Sequence, residues 1–273
     1  MVKFKFEKHL ITKKKFRDAM TKVANQAMIL TATSTTSPTT SDDYRGVTLS
    51  SVTSLTINPK PMLQFNLQIP SFTSQAIHRN NVFAIHLMKP NLESVQLARL
   101  FSKGAVKVPI TKVVEPFIES NPELRKEVKE SGLQKFFKKI SERNIGSGPT
   151  KISNRDDFIA ANVNDSKPTT TMLTQSHQIV PFKPFKLLKD NQYTKYPIGI
   201  TSLPLLNVCD LVFICTGTFN FKVGDHEIWV GEVQDILNGD KDLKKIEIVE
   251  DDKKITGGLV YCDREFKKVG SKI

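Results

Sequence analysis

The spacing of apolar residues changes several times along this chain of 273 residues. Between residues 15 and 29, Phe16, Met20, Val23, Ala24 and Ala27 recur at intervals of three and four, which predicts an amphipathic helix. The run AMILTAT (27–33) is short and apolar, as in a buried strand. A polar loop with Pro38 and Asp42-Asp43 follows. PMLQFNLQI (61–69) alternates through Phe65, Leu67 and Ile69 and reads as a strand. SFTSQAIHRN (71–80) predicts a short helix with Ser71 as its N-cap, and VFAIHLM (82–88) predicts another buried strand. ESVQLARLFSKG (93–104) carries a helical stripe and stops at Gly104.

The stretch GVTLSSVTSLTINPKP (46–61) fits neither period over its length. Six of its sixteen residues are Ser or Thr. Alternation begins with Val47 and Leu49 on one face and Thr48 and Ser50 on the other, then slips at Ser50-Ser51 and again at Thr53-Ser54. A slip of one residue sends every later side chain to the opposite face. The pattern therefore predicts two short strands with a bend between them, ended by Pro59. Backbone N–H groups and hydroxyls exposed at such a break suit a phosphate or the polar edge of a flavin. A Thr-rich edge strand is the plain alternative.

Residues 105–197 differ in character. NPELRKEVKESGLQKFFKKIS (121–141) predicts a charged amphipathic helix or helix pair, RNIGSGPTKISN (143–154) and NDSKPTTT (164–171) read as loops, and strand signals are few. We read this segment as a basic, partly helical insertion. Strand patterns return at 198. PLLNVCDLVFICTGTFNFKVG (204–224) predicts one long strand ending at a Gly224-Asp225 turn. HEIWVGEVQDI (226–236) predicts the return strand, with the alternation of Ile228, Val230 and Val233 interrupted at Gly231, residues 237–252 a charged loop or hairpin tip, and 257–270 a short closing strand. Strands dominate, so the expected class is mainly β with accessory helices, a single β-barrel rather than an alternating α/β sheet. The expected organisation is a basic tail (1–15), a barrel domain in two blocks (16–104 and 198–270), and the insertion between them (105–197).

Composition adds limits. The chain is 39% hydrophobic and 25% charged, which is globular, and no window is apolar enough to span a membrane. Three Cys (Cys209, Cys215 and Cys262) without a CxxC pair read as reduced, mostly buried thiols, and zinc-ligand spacing is absent. The net charge of +12 is concentrated: residues 1–17 hold seven basic residues against one acidic. Such charge sits on a solvated surface or meets nucleic acid or an anionic membrane. The Lys-rich start is a candidate mitochondrial targeting segment, with a cytoplasmic location as the alternative.

Common catalytic signatures are missing: no GxGxxG, no P-loop, no GxSxG and no HExxH. His78 and His86 lie near predicted element ends and read as structural. His226 follows the Gly224-Asp225 turn, which puts its imidazole at a strand start near a barrel rim; a generic turn His is the alternative.

The order of pieces resembles the flavin reductase-like family. FRDAM (16–20), GVTLSSVTSLTINPKPML (46–63), PSFTSQAI (70–77), VFAIHLM (82–88) and LARLFSKG (97–104) carry the resemblance in the first half. LPLLNVCDLVF (203–213), VGDHEIWVGEV (223–233) and LVYCDREFKKVG (259–270) carry it in the second. The resemblance implies an FMN-binding split β-barrel, six-stranded and usually dimeric, that transfers a hydride from NADH or NADPH to the flavin, with FAD as the alternative flavin. By the same resemblance Thr48, Ser50 and Ser51, with Thr53 and Ser54 behind them, would hold the flavin. Ser71 and Thr73 would bind its phosphate, His226 would lie beside flavin and nicotinamide, and Arg264 would be a basic residue near the site. Three departures stand out: Leu49 replaces a small residue, no Arg precedes Ser71, and the insertion between Gly104 and about Pro197 is far longer than the usual connection. The competing reading is a non-catalytic split barrel that binds RNA, a ribonucleoprotein, another protein or a membrane surface through its basic tail and insertion.

Overall fold

The computed structural model describes residues 2–109, 172–174, 177–243 and 258–269. In chain order the elements begin with α1 (Val2–Met20), β1 (Asn25–Gln26), β2 (Met28–Thr33), β3 (Tyr44–Leu49), β4 (Thr53–Thr56) and β5 (Met62–Gln68). Next come α2 (Phe72–Asn80), β6 (Val82–Leu87), α3 (Leu92–Phe101), β7 (Ala105–Pro109), β8 (Met172–Thr174) and β9 (His177–Pro181). The last are β10 (Tyr193–Ile198), β11 (Thr201–Leu206), β12 (Leu211–Val223), β13 (His226–Asn238), β14 (Val260–Cys262) and β15 (Glu265–Lys267).

Two compact units result: Met1–Gly104 with Lys183–Ile273, and Ala105–Phe182. In the second, β7, β9 and β8 form a three-stranded antiparallel sheet. The predicted helix at 121–141 and the loops at 143–154 and 164–171 lie outside the described residues.

The first unit is built on a seven-stranded antiparallel sheet in the order β3-β2-β6-β12-β13-β5-β4. Its two edge strands are consecutive in the chain. β3 ends at Leu49 and β4 begins at Thr53, and four residue steps reach at most about 14 Å. The edges must therefore lie near each other, and the sheet curls into a split barrel. The Ser51 hydroxyl helps fix this closure by accepting the Asn66 N–H of β5 at 3.1 Å. The break read at Ser50-Ser51 is thus the corner where the barrel changes edge.

Alternation along the strands divides the apolar residues between two cores. Leu30, Leu49, Leu63, Phe65, Leu67, Phe83, Ile85 and Trp229 fill one, with Ala76 and Ile77 of α2. Ile29, Tyr44, Ala84, Phe101, Phe185, Leu203, Leu205 and Val212 form the other, on the opposite face of the strands, with Ala98 of α3. Gly231 allows close packing inside the first: a Cβ there would stand 2.5 Å from Phe83 Cζ. β12 is bent by register shifts at Ile214/Cys215 and Gly217/Phe219; its first half pairs with both β6 and β13, while among the described residues its second half pairs with β13 alone.

The structure departs from the sequence pattern at three places. The helix expected over 15–29 is instead α1, ending at Met20; Phe16, Met20 and Val23 are exposed, whereas Ala27 is buried and its N–H donates to Leu259 O at 2.7 Å. The strand expected over 204–224 divides into β11 and β12, because the Asn207 N–H turns to Gln192 O and the Asp210 N–H to Leu87 O. Along β13, Ile228 is only half-buried, while Glu227 and Trp229 are buried opposite Leu67 and Phe65. Of the stretch 237–252, Leu237 and Asn238 end β13, Gly239–Leu243 form a single π-type turn, and 244–252 lie outside the described residues.

Candidate functional site

Helix α2 starts because Ser71 caps it. The Ser71 backbone is extended and its Oγ accepts the Ser74 N–H at 3.1 Å. The first-turn N–H groups of Phe72 and Thr73 have no acceptor within the helix, which makes this end attractive to an anion. Thr73 is buried and Ser71 half-buried.

The hairpin turn between β12 and β13 is tied to the start of this helix. Asp225 O accepts the Ile69 N–H at 2.9 Å, two residues before Ser71. The Asp225 carboxylate stands between two side chains: His226 Nδ1 lies 2.9 Å from Oδ1, and Gln68 Nε2 donates to Oδ2 at 3.3 Å. The hydrogen bond with His226 holds the Asp225 carboxyl below its ordinary range, helped by the Gln68 amide. A proton on Nδ1 leaves Nε2 of a neutral His226 as an acceptor. His226 is half-buried and pairs across the sheet with Gln68 and Val223.

Ser51 reaches the same end of β5 through Asn66, two residues before Gln68. Ser50 beside it is exposed. The fold therefore gathers Ser50, Ser51, Ser71 and His226 around the end of β5. The other expected residues are placed differently. Thr53 and Ser54 are exposed on edge strand β4, paired with Gln64 and Leu63. The Thr48 hydroxyl donates to Ala98 O of α3 at 2.6 Å and secures the scaffold. Leu49 packs in the barrel core, so the large residue at that position is absorbed by packing. Arg264 occupies a positive-φ turn between β14 and β15; its side chain is exposed and lies 3.9 Å from Asp18. Among the described residues no bond links Arg264 to the Ser51–Ser71–His226 group.

One polar cluster escaped the sequence reading. Glu227 follows His226 and therefore points to the other face of β13. It is only 5% exposed, and its carboxylate accepts from the Ser74 hydroxyl, from Trp229 Nε1 at 3.2 Å, and pairs with His78 Nε2 at 2.9 Å. The His78 and Trp229 rings meet edge to face at 4.6 Å. This cluster anchors α2 to β13 and so sets where the Ser71 cap stands. The signal in the sequence was the charge itself: an acidic residue inside an alternating strand is either exposed or fully hydrogen-bonded.

His86 is completely buried on β6. Its Nδ1 lies 2.9 Å from Ile29 O and its Nε2 accepts the Leu206 N–H at 3.0 Å, which fixes a neutral ring that joins β11 to the barrel. Cys209 and Cys215 are buried, and burial pushes the Cys215 thiol up to about 12. Among the described residues, no group of His, Cys, Asp and Glu has the arrangement of a metal site, and no helix is long and apolar enough to cross a membrane.

Comparison with known proteins agrees with this architecture. Residues 20–122 match the model of the "Flavin reductase like domain". Over those residues the chain is similar to that family. The match takes in the break at residues 50–52 and the start of α2; His226 and Arg264 lie beyond it. Three solved structures share the fold. A flavin reductase domain protein from Arthrobacter sp. FB24 superposes with a TM-score of 0.50 at 14% identity, covering 96% of this chain and 98% of that one. The NADH:FAD oxidoreductase SgcE6 of Streptomyces globisporus gives 0.51 at 12% identity, covering 95% and 94%. Nitrilotriacetate monooxygenase component B from Mycobacterium thermoresistibile gives 0.51 at 12% identity, covering 96% and 89%.

Proposed function

We propose that this chain is an NAD(P)H:flavin oxidoreductase that binds FMN at the end of β5, between the Ser50-Ser51 corner, the Ser71 cap and His226. The observation that carries this reading is the convergence of those three features through Asn66, Gln68 and Asp225, in a chain whose residues 20–122 match the flavin reductase like domain. The residues fit the cofactor. The uncommitted N–H groups at the start of α2 suit its phosphate. The hydroxyl of Ser50 and the edge of β4 suit its polar rim. When bound, the flavin accepts the hydride, and that chemistry is its own. The chain's task is to hold two rings in contact and keep water out. His226, braced by Asp225, would orient the nicotinamide or polarise its partner through Nε2.

The second half of β12 supports a dimer. Phe219, Phe221 and Val223 are 52%, 49% and 52% exposed in one row, on the face that also carries His226 and Ile228. Among the described residues their strand has no partner on its other edge there. A second copy covering this row would also close the side of the site.

Fluorescence titration tests the binding mode. Saturable FMN binding is expected. Ser71→Ala should raise the Kd for FMN by about 10-fold and leave riboflavin, which lacks the phosphate, nearly unchanged. His226→Ala should keep FMN affinity but slow flavin reduction roughly 100-fold, as misplacement of reacting groups does. Light scattering on the same samples should give the mass of two chains. Equal losses for FMN and riboflavin in Ser71→Ala would remove the phosphate role from α2.

A further inference from the structure

At the far end of α2 from Ser71, a second polar cluster forms where the loop before β3 meets residues 183–186. Asp42 forms ion pairs with two lysines, Lys183 at 3.0 Å and Lys186 at 2.9 Å. Asp43 is turned inward on its own loop: its Oδ2 accepts the Thr39 N–H at 2.9 Å, the Thr40 N–H at 3.0 Å and the Thr40 hydroxyl at 3.3 Å. Both carboxylates are therefore engaged. The two arginines are not matched in the same way. Arg45 is half-buried and its Nη1 donates only to the carbonyls of Asp42 (2.5 Å) and Tyr44 (2.9 Å). Arg79, in the last turn of α2, donates to Ser34 O at 2.7 Å. Among the described residues neither guanidinium forms an ion pair with a carboxylate.

Four cations thus surround two carboxylates. Burial lowers the Arg45 pKa, and Arg79 adds repulsion that Asp43 offsets; Lys183 is lowered likewise, by burial and then by Arg45. Cations brought together this way and partly removed from water are costly unless an anion joins them. Each guanidinium keeps N–H donors beyond those used on carbonyls, in a planar fork that suits a phosphoryl group. Arg79 is exposed, which leaves a way in from solvent. The nine residues of α2 separate this cluster from the Ser71 end by about 13 Å, so one phosphate cannot serve both.

We propose that Arg45, Arg79 and Lys183 form a second anion site, for a phosphate dianion that is either free inorganic phosphate or the phosphomonoester of a nucleotide. The proposal does not depend on flavin chemistry.

Calorimetric titration of the full chain, loaded with one equivalent of FMN and freed of excess flavin, tests it with two probes: inorganic phosphate and adenosine 2′-phosphate. Saturable binding of at least one is expected. Arg45→Gln and Arg79→Gln should each weaken it by about 10-fold, and Lys195→Gln, on an exposed position of β10, should not. Arg79 is exposed, so its variant remains informative if Arg45→Gln fails to fold. Equal affinity for both probes would identify the free ion as ligand; tenfold tighter binding of the nucleotide would identify the phosphomonoester. No saturable heat from either probe, or binding that both arginine variants leave unchanged, would overturn the proposal.

Discussion

Acidification from pH 7 to pH 4 is expected to remove about 3 kcal/mol of stability through His86 alone. Burial drives its pKa down from 6.5 to about 4, only partly countered by the hydrogen bond to Ile29 O. In the unfolded chain the ring takes up a proton as the pH passes 6.5. In the folded chain it stays neutral until about 4. The unfolded state therefore binds more protons across that window, and stability falls as the pH falls through it. A gap of two to three units, at about 1.4 kcal/mol each, gives the stated size. Urea unfolding at stepped pH checks it. His86→Gln should be less stable at pH 7, since it cannot bridge Ile29 O and Leu206 N–H equally well, but should lose this part of the pH dependence. An unchanged slope between pH 6.5 and 4 in the variant would assign the acid sensitivity elsewhere.

Glu227→Ala is expected to cost about 3 kcal/mol, the range for removing one partner from a buried charged network. The substitution strands the Ser74 hydroxyl and the Trp229 indole N–H and leaves His78 without its carboxylate. Burial pushes the Glu227 carboxyl up, but the hydrogen bonds from His78, Ser74 and Trp229 prevail and hold it below its ordinary 4.5. Its contribution is therefore complete above pH 4.5 and fades as the pH falls through the lowered folded value. Glu227→Gln keeps an acceptor for Ser74 and should cost less than the alanine change, while losing that acid response. Because α2 is anchored here, the alanine variant should also weaken FMN more than riboflavin. A cost under about 1 kcal/mol would show that α2 is held by the packing of Ala76 and Ile77 and by the bonds of Arg79 and Asn80, without help from this cluster.

Local features of this chain were legible in its sequence. Ser71 caps α2 because a Ser before a helical stripe does so from its own backbone, whatever lies beyond. The break at Ser50-Ser51 showed as a change of phase, and it is a real corner between β3 and β4. What the corner does was not legible, because the pairing of Ser51 with Asn66 depends on the whole sheet curling. The same holds for Asn207 and Asp210. They look like interior residues of a long strand until Gln192 and Leu87 supply partners far along the chain. Counting apolar residues also hid Glu227. Its row on β13 contains Trp229 and Gly231, and a carboxylate can join that row only because α2 brings Ser74 and His78 to it. Among the site residues, sequence resemblance pointed to Ser50, Ser51, Ser71 and His226, which the fold gathers. It could not show that the Thr48 hydroxyl is already committed to Ala98 O, or that the bond of Arg264 is to Asp18.

The most direct test of the central claim is an anaerobic titration of the FMN-loaded protein with NADH and then NADPH, followed by absorbance. The account predicts that the oxidised-flavin band bleaches with one equivalent of at least one nucleotide, and that His226→Ala, with FMN still bound, bleaches far more slowly. A protein that binds no flavin, or that holds FMN and leaves its band unchanged with both nucleotides, would contradict it.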